Sequence, residues 1–322
     1  MTAPADVLLA EVLRGGEVES RHLGSLAVSD AEGMLLAWAG DPARRAFWRS
    51  CMKPFQALAL AESGALEAFG LGDDALALAC ASHEAEDAHL AVADRMLAAG
   101  GFSEKDLACG APRRKDQRSS DCSGKHAGML LACRHRGFPT AGYLDPAHPH
   151  QARIRGLVSA MTGVAESSLV AAVDGCSAPI YALTLGQMAA AYARLARPPA
   201  GLAAPCRRVT AAMTAHPLLV HGTGGFDTDL MRTGAGRIVS KRGAEGVACL
   251  ALTDRGWGLA LKVADGSARA AGPAMLRALA QLDALTAAEA SALAVHARPA
   301  VKSVKGAAVG EIRAGGFVLQ RA

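Results

Sequence analysis

Arg49-Ser50-Cys51-Met52-Lys53-Pro54-Phe55-Gln56 sets a hydroxyl and an amine three residues apart at the expected start of a helix. Pro54 has no amide proton to give, so it fits only a first turn, and the helix should begin near Ser50 to Lys53. Positions three apart share a helix face, which lets Ser50 and Lys53 point together. Phe55, Leu58, Ala59, Leu60 and Ala61 then form a buried stripe and leave the first turn free to face a cleft. A serine there sits in the positive field of a helix N-terminus, and an amine within reach can take its proton. That is the S-x-x-K arrangement of serine amide hydrolases that use a lysine base. Standing alone, the same residues also describe a serine cap beside a solvated lysine, so the rest of the chain has to decide.

The chain has 322 residues, of which 51% are hydrophobic, enough to bury a large core. Lysine and arginine number 34 against 30 acidic residues, the charges are scattered, and aromatics make up 4%. This excludes the dense basic face and stacking platforms of a nucleic-acid binder. No apolar run is long enough for a membrane span, and Met1 to Leu13 does not read as a secretory signal, so a cytoplasmic protein is expected. The eight cysteines lack a framework spacing and should be thiols.

Short strands are expected at Val7 to Leu13, Ser25 to Ser29 and Met34 to Ala39, with Ser29 to Gly33 turning between the last two. Asp74 to Cys80 suits either a helix or a buried strand. Ser82 is placed to cap an amphipathic helix over Asp87 to Ala99. Gly110 to Ser120 is a polar loop holding Arg113, Arg114, Lys115 and Arg118, long enough to be a lid or binding loop. The reactive cluster Asp121-Cys122-Ser123-Gly124-Lys125-His126 leads into a helix at Met129 to Cys133. Pro146 to Leu202 reads as mostly helical, interrupted at Asp174 to Pro179. Strands follow at Arg237 to Lys241, Val247 to Leu252 and Trp257 to Val263, then a helix at Gly272 to Gln281 and a returning strand within Ala307 to Gln320. The pattern is an α/β (α+β) single domain over 1–322, with a sheet from 1–48 and 213–322 beside an inserted, mainly helical part at 49–212.

Six further tokens occur in order around the opening stretch: Val18-Glu19-Ser20, Ala81-Ser82-His83, Asp121 to His126, Asp174-Gly175-Cys176, Gly243-Ala244-Glu245-Gly246 and Lys262-x-x-Asp265-Gly266. Together with the S-x-x-K stretch they resemble the asparaginase II family of the thermolabile rhizobial type, over essentially the whole chain. The resemblance implies a fold like that of serine β-lactamases and penicillin-binding proteins, and hydrolysis of L-asparagine to L-aspartate and ammonia. It implies a first serine–lysine pair at Ser50 and Lys53 and a second at Ser82 and Lys262. It also implies zinc held by Cys122, Lys125 and Cys176, and a homodimer. Asp121 stands where the family commonly has Asn, Ser177 where Gly is usual, and Gly225 where an Arg commonly precedes Phe-Asp-Thr.

An unactivated amide needs a strong nucleophile, a polarised carbonyl and a protonated leaving amine. Ser50 is expected to attack, with Lys53 as the base and backbone N–H groups near Ser50 as oxyanion donors. A lysine serves as base near neutral pH only with a lowered pKa, for which burial and the cations Arg49 and Lys262 are the expected causes. Ser82 relays a proton, orients substrate or is itself the nucleophile. Arg49, His83 and Asp174 are assigned to substrate binding, although His83 and Asp174 also suit core and turn roles. His126 is chemically a better zinc ligand than Lys125 but is not the position that the resemblance selects. The alternatives are a serine amidase acting on glutamine or a β-lactam-like amide, for which Lys241-Arg242-Gly243 supplies a K-x-G strand, and a non-catalytic zinc- or amino-acid-binding protein.

Overall fold

The computed structural model describes residues 5–111 and 116–322, so Arg113, Arg114 and Lys115 of the polar loop lie outside the described residues. Twelve strands are present among the described residues: β1 (Val7–Arg14), β2 (Glu17–Asp30), β3 (Leu35–Ala39), β4 (Arg45–Phe47), β5 (Val170–Val173), β6 (Pro179–Thr184), β7 (Ile238–Arg242), β8 (Val247–Leu252), β9 (Trp257–Val263), β10 (Ala300–Lys302), β11 (Ala308–Ala314) and β12 (Gln320–Arg321). The main sheet runs β10-β11-β1-β2-β9-β8-β7, with β3 between β2 and β12, and its pairs are antiparallel. Strand β2 is its rail. Gly24 pairs with Val7 on one edge and Val263 on the other, and from Leu26 onward β3 takes the edge that β1 has left. A Cβ on Gly24 would stand 2.2 Å from the Lys262 carbonyl oxygen, so only glycine lets the strands change neighbours there.

Strict alternation gives the sheet two apolar faces. Ala27, Val239, Val247, Cys249, Ala251 and Ala260 face the helical lobe. Leu26, Val28, Ala248, Leu250, Leu259 and Leu261 face the helix Ala271–Gln281 on the other side. The lobe-facing side is built of small residues. That allows the alanine-rich helix Leu185–Ala196 to lie so close that a Cβ on Gly258 would be 1.9 Å from the Ala189 carbonyl oxygen.

The lobe departs from the sequence reading in three places. Pro146 to Leu202 is mostly helical but also holds two strands: Val170–Val173 and Pro179–Thr184 pair around the Asp174 turn and, with β4, form a second, three-stranded sheet. The reactive cluster straddles the start of its helix, which runs Ser123–His135 with Cys122 as its cap, so Ser123 to His126 lie inside it. Ser82 does not cap Asp87–Ala99; Glu86 does, in a box closed by the His89 ring. Asp73–Ala79 resolves as a helix.

Candidate active site

Strand β4 enters a tight turn, Arg49–Met52, that continues into the helix Lys53–Ala61. The turn is pinned from below by Trp48, fully buried against Phe55 with ring centroids 4.4 Å apart, and by Tyr192, whose hydroxyl donates to the Cys51 carbonyl at 2.7 Å. Arg49 is driven to φ 51, a left-handed conformation that non-glycine residues adopt under constraint, immediately before Ser50. The end of β7 passes just above, and a Cβ on Gly243 would sit 3.2 Å from the Ser50 nitrogen. Ser50 is half-buried and opens into a cleft of about 600 Å³ shared by the lobe and the sheet, lined also by Ser82, His83, Asp121, Lys241 and Arg242.

Lys53 lies under this cleft, 1% exposed. Its Nζ donates to the Ala81 carbonyl at 2.5 Å, to Ser82 Oγ at 2.9 Å and to the Asp121 carbonyl at 3.3 Å, with the Asp121 carboxylate at 3.6 Å. Lys53 therefore holds the hydroxyl of Ser82, and no hydrogen bond joins it to Ser50 among the described residues. Burial pushes its pKa down, but the Cys122 thiol and the Asp121 carboxylate push it up by more, and the net direction is upward. The expected depression by Arg49 and Lys262 is thus not what this surrounding produces. Arg49 is neutralised instead, its Nε donating to Asp174 at 2.8 Å with Glu245 at 3.9 Å.

Lys262 stands apart from Ser82. On β9, two strands in from the β7 edge, its Nζ donates to the carbonyls of Glu245 and Val263, and it does not line the cleft. The expected Ser82–Lys262 pair is therefore not assembled. The lysine that the sheet does bring to the cleft is Lys241, 1% exposed, with Nζ donating to the Arg242 carbonyl at 2.8 Å and lying 3.7 Å from the Asp227 carboxylate. Burial, with Lys53 nearby, lowers its pKa despite Asp227. The signal for it was the K-x-G on β7, read only with the runner-up reaction. Asp227, fully buried, also accepts from Ser240 Oγ at 2.7 Å and from Arg242 N–H at 2.9 Å, and is held down at about 2.

His83 lines the cleft as a neutral ring. Its Nδ1 accepts from Ala85 N–H and its Nε2 lies 2.9 Å from Ser123 Oγ, and burial followed by the neighbouring His89 takes its pKa down to about 3. Asp174 is occupied by Arg49, at the turn where Ser177 takes φ 69, the region a glycine enters without strain.

Behind Lys53, Cys122, Lys125 and Cys176 converge, all buried. Lys125 Nζ donates to Cys176 Sγ at 2.9 Å. A hydrogen bond from Cys122, together with Lys125, pulls the Cys176 thiol strongly down, while the same bond and burial push Cys122 up. Lys125 is pushed up, the two thiols outweighing its burial. His126 donates or accepts at Tyr143 OH, 2.7 Å from Nδ1, and its ring also faces the Cys176 thiol. No group of three His, Cys, Asp or Glu side chains among the described residues is arranged to hold a metal, so a cation here depends on the lysine. Two sulfurs, an amine and an imidazole nitrogen nearby are a donor set that suits zinc.

Among solved structures, the chain is similar to a β-lactamase from Mycobacterium bovis (15% identity, 81% of this chain and 95% of that one, TM-score 0.47). It is also similar to Mglu in its native form (18% identity, 81% of this chain and 64% of that one, TM-score 0.36) and in its glutamate form (19% identity, 81% and 61%, TM-score 0.37). No curated protein matches. The model of the family described as L-asparaginase II matches residues 10–314, from within β1 to the end of β11, and the chain therefore belongs to the L-asparaginase II family.

Proposed function

We propose that this L-asparaginase-type amidohydrolase cleaves the side-chain amide of L-asparagine through an ester on Ser50. What carries the reading is the convergence on one cleft of Ser50, the Lys53–Ser82 pair and the Lys241–Asp227 pair. Ser50 Oγ attacks the amide carbon, and its proton passes to Lys241, whose pKa is lowered by burial. The Ser50 N–H, without a hydrogen-bond partner among the described residues, receives the developing oxyanion. Lys53, held protonated, gives a proton through Ser82 to the departing nitrogen, and ammonia leaves. Water then adds to the ester, its proton restoring Lys53 through Ser82, and Lys241 returns the first proton to Ser50 as aspartate forms. Asp227 keeps Lys241 in place, and His83, neutral, presents a fixed polar edge to the substrate.

The hydrogen bond between Lys53 and Ser82 favours a second reading, in which Ser82 is the nucleophile. Ammonia release from L-asparagine, with L-glutamine alongside, by the purified protein, Ser50→Ala and Ser82→Ala tests the scheme. Turnover of asparagine that vanishes in Ser50→Ala is expected, with the trapped ester mapping to the Ser50 peptide. A trapped ester on Ser82 exchanges the roles, and no turnover of either amide withdraws the reaction.

The same reading includes one zinc per chain on Cys122, Lys125 and Cys176. When bound, the metal supplies a fixed dication behind the cleft that offsets the thiol charge and helps position the substrate. Metal analysis should find zinc in the wild type and none in folded Cys122→Ala; unchanged zinc in that variant rejects these ligands. No helix among the described residues is long and apolar enough to cross a membrane. A homodimer remains part of the proposal, read by light scattering.

A further inference from the structure

The cleft contains a guanidinium that the protein leaves without an acid. Arg242 follows Lys241 at the end of β7, and its backbone N–H is anchored on Asp227 at 2.9 Å. Its side chain makes no ion pair with a carboxylate among the described residues. One terminal nitrogen lies 2.9 and 3.2 Å from the two ring nitrogens of His221, and Cζ is 5.7 Å from the Phe226 ring centroid. Its Nε is buried with no acceptor. His221 adds no competing charge, since burial holds its pKa at about 4. The other cations of the cleft are spoken for: Lys53 by three oxygens, Lys241 by Asp227, and Arg49, just outside it, by Asp174. A half-buried arginine with no carboxylate paired to its side chain, set against an imidazole at the end of a strand, is arranged to receive a planar anion.

The neighbouring loop bears on the same point. A Cβ on Gly225 would stand 2.6 Å from the His221 ring, so the space of a side chain at 225 is filled by the imidazole that supports Arg242.

We propose that Arg242 binds the α-carboxylate of the amino-acid substrate and so restricts the enzyme to amides that carry one. The inference rests on the amidohydrolase reading for its substrate but not for its test. The binding of L-aspartate and of 3-aminopropanoate, which lacks the α-carboxylate, is measured by calorimetry for wild type, Arg242→Gln and Arg242→Lys. The kcat/KM values for L-asparagine and 3-aminopropanamide are measured alongside. In Arg242→Gln the affinity for L-aspartate falls about ten- to hundredfold and the preference for asparagine over 3-aminopropanamide collapses by the same factor, appearing in KM more than in kcat. Arg242→Lys recovers part of both and supplies the measurement should the glutamine variant fail to fold. A folded Arg242→Gln that keeps the wild-type preference overturns the assignment, as does an equal loss for ligands with and without the carboxylate. Wild type that binds L-aspartate but releases no ammonia refutes the reaction alone, and the binding ratio still judges Arg242. Wild type that binds neither amino acid refutes both.

Discussion

Asp227→Asn removes the one carboxylate that faces Lys241 among the described residues and leaves a buried ammonium among cations. The two groups are 3.7 Å apart, with side chains 1% and 0% exposed. At an effective dielectric of about 20 their attraction is about 4.5 kcal/mol, and removing one partner of such a pair costs about 3–5 kcal/mol. The amide retains an acceptor for Ser240 Oγ but turns its NH₂ toward the Arg242 N–H, which adds a donor–donor conflict. A loss of about 4 kcal/mol at pH 7 is therefore expected from urea unfolding followed by circular dichroism. The pH dependence gives the sharper test. Lys241 already has a lowered pKa in the folded protein, and without Asp227 it falls further. Between that value and the ordinary lysine value the unfolded chain binds more protons than the folded one, so stability rises with pH. The variant's deficit should shrink from pH 7 to pH 10. A loss below about 1 kcal/mol, or a deficit that grows with pH, would show that Asp227 does not compensate the lysine's burial.

Two other perturbations probe the charge under the cleft and the packing above it. Asp121→Asn takes a half-exposed carboxylate from 3.6 Å beside Lys53 and removes one of the charges that hold its pKa up, an effect that solvent screening keeps modest. The alkaline limb of kcat/KM, along which Lys53 loses the proton it donates, should move to lower pH; an unmoved limb removes Lys53 from the proton path. Gly258→Ala forces a methyl to within 1.9 Å of the Ala189 carbonyl oxygen, and the urea midpoint should drop by the equivalent of about 3 kcal/mol, with an unchanged midpoint refuting the close helix–sheet approach.

Where a local rule decided the structure, the residues announced it. Pro54 placed the start of its helix, Gly33 a turn, and the valine- and leucine-rich runs after Arg237 three strands of the sheet. The second sheet was hidden because Val170-Ala171-Ala172-Val173 has alanines where a helix would also have them, and its pairing with β6 and β4 is fixed by contacts far along the chain. The choice between Lys241 and Lys262 was illegible for a related reason. Both end strands of one sheet, and only the strand order, with β7 on the edge beside Ser50 and β9 two places inward, decides which amine reaches the cleft. The pairing of Lys53 with Ser82 rather than Ser50 likewise depends on where the Ala81 and Asp121 carbonyls arrive, and no spacing encodes that.

The rail strand also sets the order in which the protein can be completed during its synthesis. Asp30 of β2 pairs with Trp257, which emerges 227 residues later. At ribosomal rates of about 5–20 residues per second, that edge of β2 waits roughly 10–45 s for β9. The helical lobe lies in the interval and its core is largely its own, so it can condense first. The hairpin of β1 and β2 then remains an open template of unpaired amides and apolar side chains until β9 closes one side and β11 the other. Expression at lower temperature, or with a chaperone that shields extended chain, should raise soluble yield more than any change made within the lobe.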